Sequence, residues 1–147
     1  MLQSAGSDGT GVSMGSMATT RVLLVDDEAL VRQVLKHILA KFSDIEIVGE
    51  ASTGDEAITS VEKLQPDVVV MDIRMPRMDG VAAAREIRHK YPDVKVIGLS
   101  EYAHGYHAHA MERAGAIGIY LKSAASEELY AAIMKAAAGE DSRRPHQ

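Results

Sequence analysis

The sequence predicts a doubly wound α/β fold, in which helices cover both faces of a five-stranded parallel sheet. From Arg21 onward, short β-branched apolar runs alternate with amphipathic stretches of helical period, giving five strand-helix units. The run Val68–Met71 is apolar at every position, which is typical of a strand buried on both sides. Because crossovers between parallel strands are right-handed, the helices are expected to pack over the sheet.

The five predicted strands are the apolar runs themselves. They are Val22–Val25, Ile45–Gly49, Val68–Met71, Val94–Leu99 and Ile117–Leu121. In open parallel sheets, ligands bind outside the carboxyl ends of the strands. The residues that end each strand are therefore the candidates for a functional site.

The segments between the strands carry helix signals. The predicted helices run from Glu28 to about Lys41, from Thr53-Gly54-Asp55-Glu56 to before Pro66, from Val81 to Lys90, from about Ala103 to Ala114, and from Ser126 onward. The second begins with a capping box, and Gly115 ends the fourth. The last begins with Glu127 and Glu128, where the helix dipole favours acids.

Length and composition indicate a single folded domain. The chain has 147 residues, of which 46% are hydrophobic and 25% charged, as is usual for a chain that packs a core. Residues 1–20, rich in Gly, Ser, Thr and Ala, are predicted to be a flexible leader or linker. Residues 21–138 form the predicted domain, and residues 139–147 a C-terminal tail.

Charge and composition argue against several classes of function. With a net charge of −5, no basic field exists to attract nucleic acid, so direct nucleic acid contact is not expected. The absence of cysteine excludes disulfides and thiolate chemistry. No apolar run approaches the roughly 20 residues needed to cross a bilayer, and no signal peptide precedes the domain. A cytoplasmic location without membrane association is expected.

Polar residues end four of the predicted strands. Asp26 and Asp27 follow the first, Asp72 the third, Ser100 the fourth and Lys122 the fifth. Crowded carboxylates repel unless a cation lies among them, and an all-oxygen site suits Mg²⁺. A metal ion and a lysine in one cleft would neutralise a phosphoryl group. The simpler interpretation of the acid pair is a helix N-cap, but the three further polar strand ends favour a functional site.

Four ordered motifs resemble those of the receiver domains of two-component response regulators. They are Val22-Leu23-Leu24-Val25-Asp26-Asp27-Glu28, Val69-Val70-Met71-Asp72-Ile73-Arg74-Met75-Pro76-Arg77-Met78-Asp79-Gly80, Gly98-Leu99-Ser100 and Gly115-Ala116-Ile117-Gly118-Ile119-Tyr120-Leu121-Lys122. The resemblance extends from about Arg21 to Ala138. It implies a flavodoxin-like sheet in the order 2-1-3-4-5 and makes residues 21–138 a receiver domain.

The resemblance also implies a Mg²⁺ site around a phosphoacceptor. Asp72 would take a phosphoryl group from the phosphohistidine of a sensor kinase and would also be a metal ligand. Asp27 would bind Mg²⁺ directly and Asp26 through a water molecule. The backbone carbonyl of Arg74 would complete the protein ligands.

Two further residues would contact the phosphoryl group by the same resemblance. Lys122 would pair with its oxygens, and the Ser100 hydroxyl would hydrogen-bond to it once it is attached. Such a contact exists only in the phosphorylated form, so it can shift a conformational equilibrium. The family commonly has an aromatic residue where this chain has Ile119, and Tyr120 follows. Since successive strand residues face opposite ways, Tyr120 is not expected to replace that aromatic.

The implied partners are proteins. A sensor histidine kinase or a phosphotransfer protein would donate the phosphoryl group, an unknown partner would receive the output, and phosphorylation-dependent homodimerisation is left open. The chain resembles receivers that precede a DNA-binding domain and those that end hybrid sensor kinases. The alternative is a small Mg²⁺-dependent phosphohydrolase with Asp72 as nucleophile. Phosphatases of the haloacid dehalogenase type have an acid two residues after the nucleophile, where this chain has Arg74.

Overall fold

Five strands form one parallel sheet in a computed structural model that describes residues 18–73, 80–101, 106–124 and 126–139. They are β1 (Thr20–Val25), β2 (Ile45–Ala51), β3 (Val68–Asp72), β4 (Lys95–Ser100) and β5 (Gly118–Leu121). Their order is β2-β1-β3-β4-β5, and all neighbouring strands are parallel. The predicted fold class and strand order are confirmed.

Helices cover both faces of the sheet. They are α1 (Ala29–Leu39), α2 (Gly54–Leu64), α3 (Gly80–Lys90), α4 (Tyr106–Arg113) and α5 (Ser126–Ala137). One apolar cluster joins alternate strand residues such as Val69 and Met71 to α2, α3 and α4. A second cluster joins Val68 and Val70 to α1 and α5. Because β3 is buried along its whole length by these two layers, its apolar sequence has no solvent-facing position.

The strand boundaries differ from the predicted ones by a few residues. β1 begins at Thr20 and β2 continues to Ala51, because backbone pairing joins Thr20 to Ile45 and Val25 to Ala51 whatever the side chains are. At the other edge, β4 and β5 each begin one residue later than predicted, and β4 continues to Ser100. β3 likewise continues by one residue, so that Asp72 and Ser100 belong to the regular sheet, whereas Asp26 and Lys122 directly follow β1 and β5.

The helix starts are set by local hydrogen bonds. Glu28 was predicted to be helical, but it has an extended backbone and precedes α1. Its amide donates to Asp26 Oδ1 at 2.9 Å, which turns the chain before the helix begins. In the predicted capping box, the Glu56 amide donates to Thr53 Oγ1 at 3.1 Å, as expected. The predicted start of the fourth helix, at Ala103, lies outside the described residues.

Candidate functional site

The carboxyl ends of β1, β3 and β5 bring three acids and a lysine together. One carboxylate oxygen from each of Asp26, Asp27 and Asp72 lies within 4.8 Å of the other two. Lys122 Nζ lies 3.3 Å from Asp26 Oδ2 and 3.3 Å from Asp72 Oδ2. Residues that are up to 96 positions apart in the sequence therefore lie together at the carboxyl end of the sheet, as the pattern of strand ends predicted.

Burial differs among the three acids. Asp26 is 1% exposed and Asp72 is 4% exposed, while Asp27 is exposed to solvent. A buried carboxylate loses hydration, so it needs compensating partners. Asp26 and Asp72 are consequently the two acids that most need a compensating positive charge or hydrogen bond.

Lys122 supplies part of that compensation. Its side chain is 20% exposed. Burial alone would lower the pKa of Lys122, but the carboxylates of Asp72 and Asp26 outweigh burial and raise the pKa above its ordinary value. The ammonium is therefore positively charged at neutral pH.

The two oxygens of Asp26 have different surroundings. Oδ1 accepts the hydrogen bond from the Glu28 amide. Oδ2 is buried and accepts no hydrogen bond from the residues that the structure describes, although the Lys122 ammonium lies 3.3 Å away. A buried acceptor of this kind costs free energy unless something occupies its lone pairs.

A divalent cation fits this donor set. Three carboxylates carry a formal charge of −3 and Lys122 contributes +1, so the cluster retains −2. The oxygens are close enough to share one ion, and exposed Asp27 leaves an open side for water. Oxygen ligands with retained water are the surroundings that Mg²⁺ accepts, and a cation would also satisfy Asp26 Oδ2. The cluster can therefore hold a metal ion.

Ser100 borders the acids from the neighbouring strand. Leu99 pairs with Asp72 in the register between β3 and β4, so Ser100 extends one residue beyond that pair. Ser100 is 7% exposed, and its backbone carbonyl accepts a hydrogen bond from the Lys122 amide at 2.8 Å. The serine and the lysine are thereby held at the same edge of the sheet.

Gly80, the first residue of α3, packs against the backbone of Asp72. A Cβ atom at Gly80 would lie 2.3 Å from the Asp72 carbonyl oxygen and 2.7 Å from Ile73 Cα. Backbone atoms cannot move away as a flexible side chain could. Any larger residue at this position would displace either α3 or the peptide that carries Asp72.

Ile119 and Tyr120 face opposite sides of the sheet. Ile119 packs against the cluster shared by α2, α3 and α4, and Tyr120 packs against the cluster shared by α1 and α5. Tyr120 therefore does not occupy the space of Ile119, as the alternation of strand side chains predicted. Arg74, the predicted carbonyl ligand, lies outside the described residues.

The sequence did not single out Arg32 and Glu50, which lie beside the acids. Arg32 donates to the Asp26 backbone carbonyl at 2.6 Å and to Glu50 Oε1 at 2.8 Å. One signal was present in the sequence. A positive charge one turn into a helix is unfavourable next to the helix dipole, and a nearby acid would offset that cost. Only the pairing of β1 with β2 identifies Glu50 as that acid.

A parallel α/β sheet with clustered acids and a lysine at the carboxyl ends of its strands is suited to binding a metal ion together with a phosphoryl group. The chain belongs to the response regulator receiver domain family, whose model matches residues 22–134. It is a receiver domain of two-component systems and functions as a signalling switch. Receivers of this family interact with histidine kinases.

Curated relatives are transcriptional regulators and response regulators. The chain is 39% identical over 109 residues to the uncharacterized transcriptional regulatory protein YhcZ of Bacillus subtilis, covering 74% of this chain and 51% of that protein. It is 37% identical over 119 residues to the transcriptional regulatory protein DegU of Brevibacillus brevis, covering 81% and 50%. The chain spans about half the length of these relatives. They give no support to the phosphohydrolase alternative.

Solved receiver structures share the fold. The signal receiver domain of the putative response regulator NarL from Mycobacterium tuberculosis matches with a TM-score of 0.79 at 29% identity, covering 84% of this chain and 99% of that one. The response regulator domain of Thermotoga maritima CheB matches with a TM-score of 0.75 at 34% identity, covering 82% of this chain and 97% of that one.

Within the described residues, no helix is both long and apolar enough to cross a bilayer.

Removing one buried charge tests the crowding of the acids. In metal-free protein, Asp26→Asn is expected to leave the free energy of unfolding unchanged or to raise it by up to about 1 kcal/mol, because repulsion and desolvation are relieved. The amide oxygen can still accept from Glu28, and Lys122 keeps Asp72. Thermal melts in EDTA measure the change, with exposed Asp93→Asn as the control. A clearly lower melting temperature for Asp26→Asn would contradict the repulsion.

Proposed function

We propose that Asp72 is the phosphoacceptor of this receiver domain and that Mg²⁺ is its metal ion. The observation that carries the proposal is the position of the Lys122 ammonium, 3.3 Å from the Asp72 carboxylate, beside two further acids. A lysine and a divalent cation around one nucleophilic carboxylate are the charges that phosphoryl transfer requires.

The transfer forms one bond and breaks another. An Asp72 oxygen attacks phosphorus, the bond between phosphorus and the donor imidazole nitrogen breaks, and that nitrogen keeps the electron pair and binds a proton. The product is an acyl phosphate on Asp72. The donor is a sensor histidine kinase or a phosphotransfer protein, and the domain accelerates its own phosphorylation and dephosphorylation.

Asp26, Asp27 and Asp72, with the backbone carbonyl of Arg74, are the proposed metal ligands, with Asp26 acting through water. When bound, Mg²⁺ would neutralise phosphoryl oxygens that three carboxylates would otherwise repel. Lys122 has the reach and the charge to hold the same oxygens, because it already lies against Asp72.

Ser100 is the proposed sensor of the phosphoryl group. Its hydroxyl would donate to a phosphoryl oxygen, a contact that the unphosphorylated chain does not have. A contact made in only one state shifts the equilibrium between two conformations. Ile119, on β5 beside β4, would repack with that shift, whereas Tyr120 faces the opposite layer.

The output is a change in protein binding, in the cytoplasm. The curated relatives are regulators about twice as long as the matched region, which supports attachment to, or contact with, a separate output domain. With a net charge of −5, this chain itself would not contact DNA. A homodimer formed on phosphorylation is one form that the output could take.

Labelling with acetyl phosphate tests the proposal. With Mg²⁺, intact-mass spectrometry is expected to show one phosphoryl group per chain, stable in acid and removed by hydroxylamine. EDTA should prevent the labelling. Continuous release of phosphate without a labelled chain would instead identify a phosphohydrolase, and the absence of both, with acetyl phosphate and with a phosphorylated histidine kinase as donors, would contradict the assignment of Asp72.

A further inference from the structure

Arg32 connects the acid cluster to β2, the outermost strand on one side of the sheet. Its NH1 group donates to the Asp26 backbone carbonyl at 2.6 Å, and its Nε donates to Glu50 Oε1 at 2.8 Å. The side chain is 17% exposed, so the guanidinium is largely enclosed between α1 and β2. One side chain thus joins the start of α1 to both β1 and β2.

The Asp26 carbonyl belongs to the peptide that leads to Asp27. The Asp26 amide is also fixed, because it donates to the Ala51 carbonyl at 3.1 Å. With both ends of the residue held, the direction of the chain into Asp27 is determined. Asp27 is exposed, so packing does little to orient it, and its backbone is the means by which its position can be controlled.

Glu50 holds the guanidinium in place. It accepts from Lys36 Nζ at 2.8 Å as well as from Arg32, and these two hydrogen bonds lower its pKa. Glu50 is therefore ionised at neutral pH. Lys36 shares the same carboxylate but has no bond to Asp26, which makes it a matched control.

We propose that Arg32 is a positioning residue for the metal site. Its bonds to the Asp26 carbonyl and to Glu50 fix the peptide between Asp26 and Asp27, so that both carboxylates are aligned before a cation binds. This inference rests on the proposed function only in taking Mg²⁺ as the cation. Outer partners that orient metal ligands typically change metal affinity by 10- to 100-fold when they are removed.

A purely electrostatic role and a positioning role predict opposite changes in Mg²⁺ affinity when Arg32 is removed. Removing a positive charge near the acids should by itself strengthen the binding of a cation. If Arg32 aligns the acids, its loss should weaken binding instead. Calorimetric titration with Mg²⁺ is expected to show roughly tenfold weaker binding for Arg32→Leu, and a change below about twofold for Lys36→Ala.

The variant Arg32→Lys keeps the positive charge and provides a second test in case Arg32→Leu does not fold. An ammonium cannot reproduce the planar fork that bonds a carbonyl and a carboxylate together. Its Mg²⁺ affinity should lie between those of wild type and Arg32→Leu. Equal affinities for wild type and both Arg32 variants, or an equal loss in Lys36→Ala, would overturn the proposal.

A metal-free measurement separates this inference from the proposed function. The Glu28 amide, which donates to Asp26 Oδ1, reports the order of the same turn. Its hydrogen exchange in EDTA should be at least about threefold faster in Arg32→Leu and unchanged in Lys36→Ala. Unchanged exchange in Arg32→Leu would overturn the positioning role. If the wild-type chain bound no Mg²⁺, the proposed function would be contradicted. The hydrogen exchange of the Glu28 amide would then still test the positioning role of Arg32.

Discussion

Asp72→Asn is expected to lower the rate of phosphorylation by acetyl phosphate to below about 1% of the wild-type rate. The amide is nearly isosteric with the carboxylate, but it is a poor nucleophile and cannot form an acyl phosphate. Rates from intact-mass spectrometry in Mg²⁺ give the measurement.

The control for this variant is Asp93→Asn, which changes an exposed aspartate before β4, at the opposite edge of the sheet. It should be phosphorylated at the wild-type rate. Label that persists in Asp72→Asn and maps to another acid would show that the acceptor has been assigned to the wrong residue.

Lys122→Met is expected to have two large effects. Phosphorylation should slow by roughly 100-fold or more, because a preorganised cation that faces the phosphoryl oxygens is removed. In metal-free protein the free energy of unfolding should fall by about 2 to 3 kcal/mol, because buried Asp26 and Asp72 lose the ammonium that pairs with both of them. Rate assays and denaturant melts in EDTA measure the two effects.

The stability effect of Lys122 has a defined pH range. Since folding raises the pKa of Lys122 above 10.5, its stabilisation is fully present below that pH and is lost as the pH rises through the folded-state value. The melts therefore belong at neutral pH. Exposed Lys135→Met on α5 is the control and should change neither quantity. Equal stability of Lys122→Met and wild type would contradict the ion pairing.

The spacing of hydrophobic residues was sufficient to predict the strands and helices and their alternation along the chain. A strand such as β3 has no polar position until Asp72, and the capping box at Thr53 marks the start of α2 in the sequence itself. The exact strand ends could not be predicted in this way, because ladder bonds between residues such as Thr20 and Ile45 use only the backbone. The strand order came from the resemblance, since a local pattern does not specify which strands are neighbours.

The acids and the lysine of the site could be identified from sequence because parallel strands place their carboxyl ends at one edge. Position along a strand is enough to bring Asp26, Asp72 and Lys122 together. Arg32 and Glu50 could not be found by that rule. Their contact depends on how α1 lies across β2, and 18 residues separate them in the chain.

The packing of Ile119 affects how activation can be observed. Its Cδ1 atom would lie 2.9 Å from a Cβ placed on Gly98, two residues before Ser100, so a branched aliphatic side chain fills the space above that glycine. An isoleucine has no ring that could turn from buried to exposed, and the chain contains no tryptophan. Tryptophan fluorescence is therefore not available as a probe of the phosphorylated state. Under the proposed switch, the methyl resonances of Ile119, which packs beside Gly98 of β4, would shift on phosphorylation.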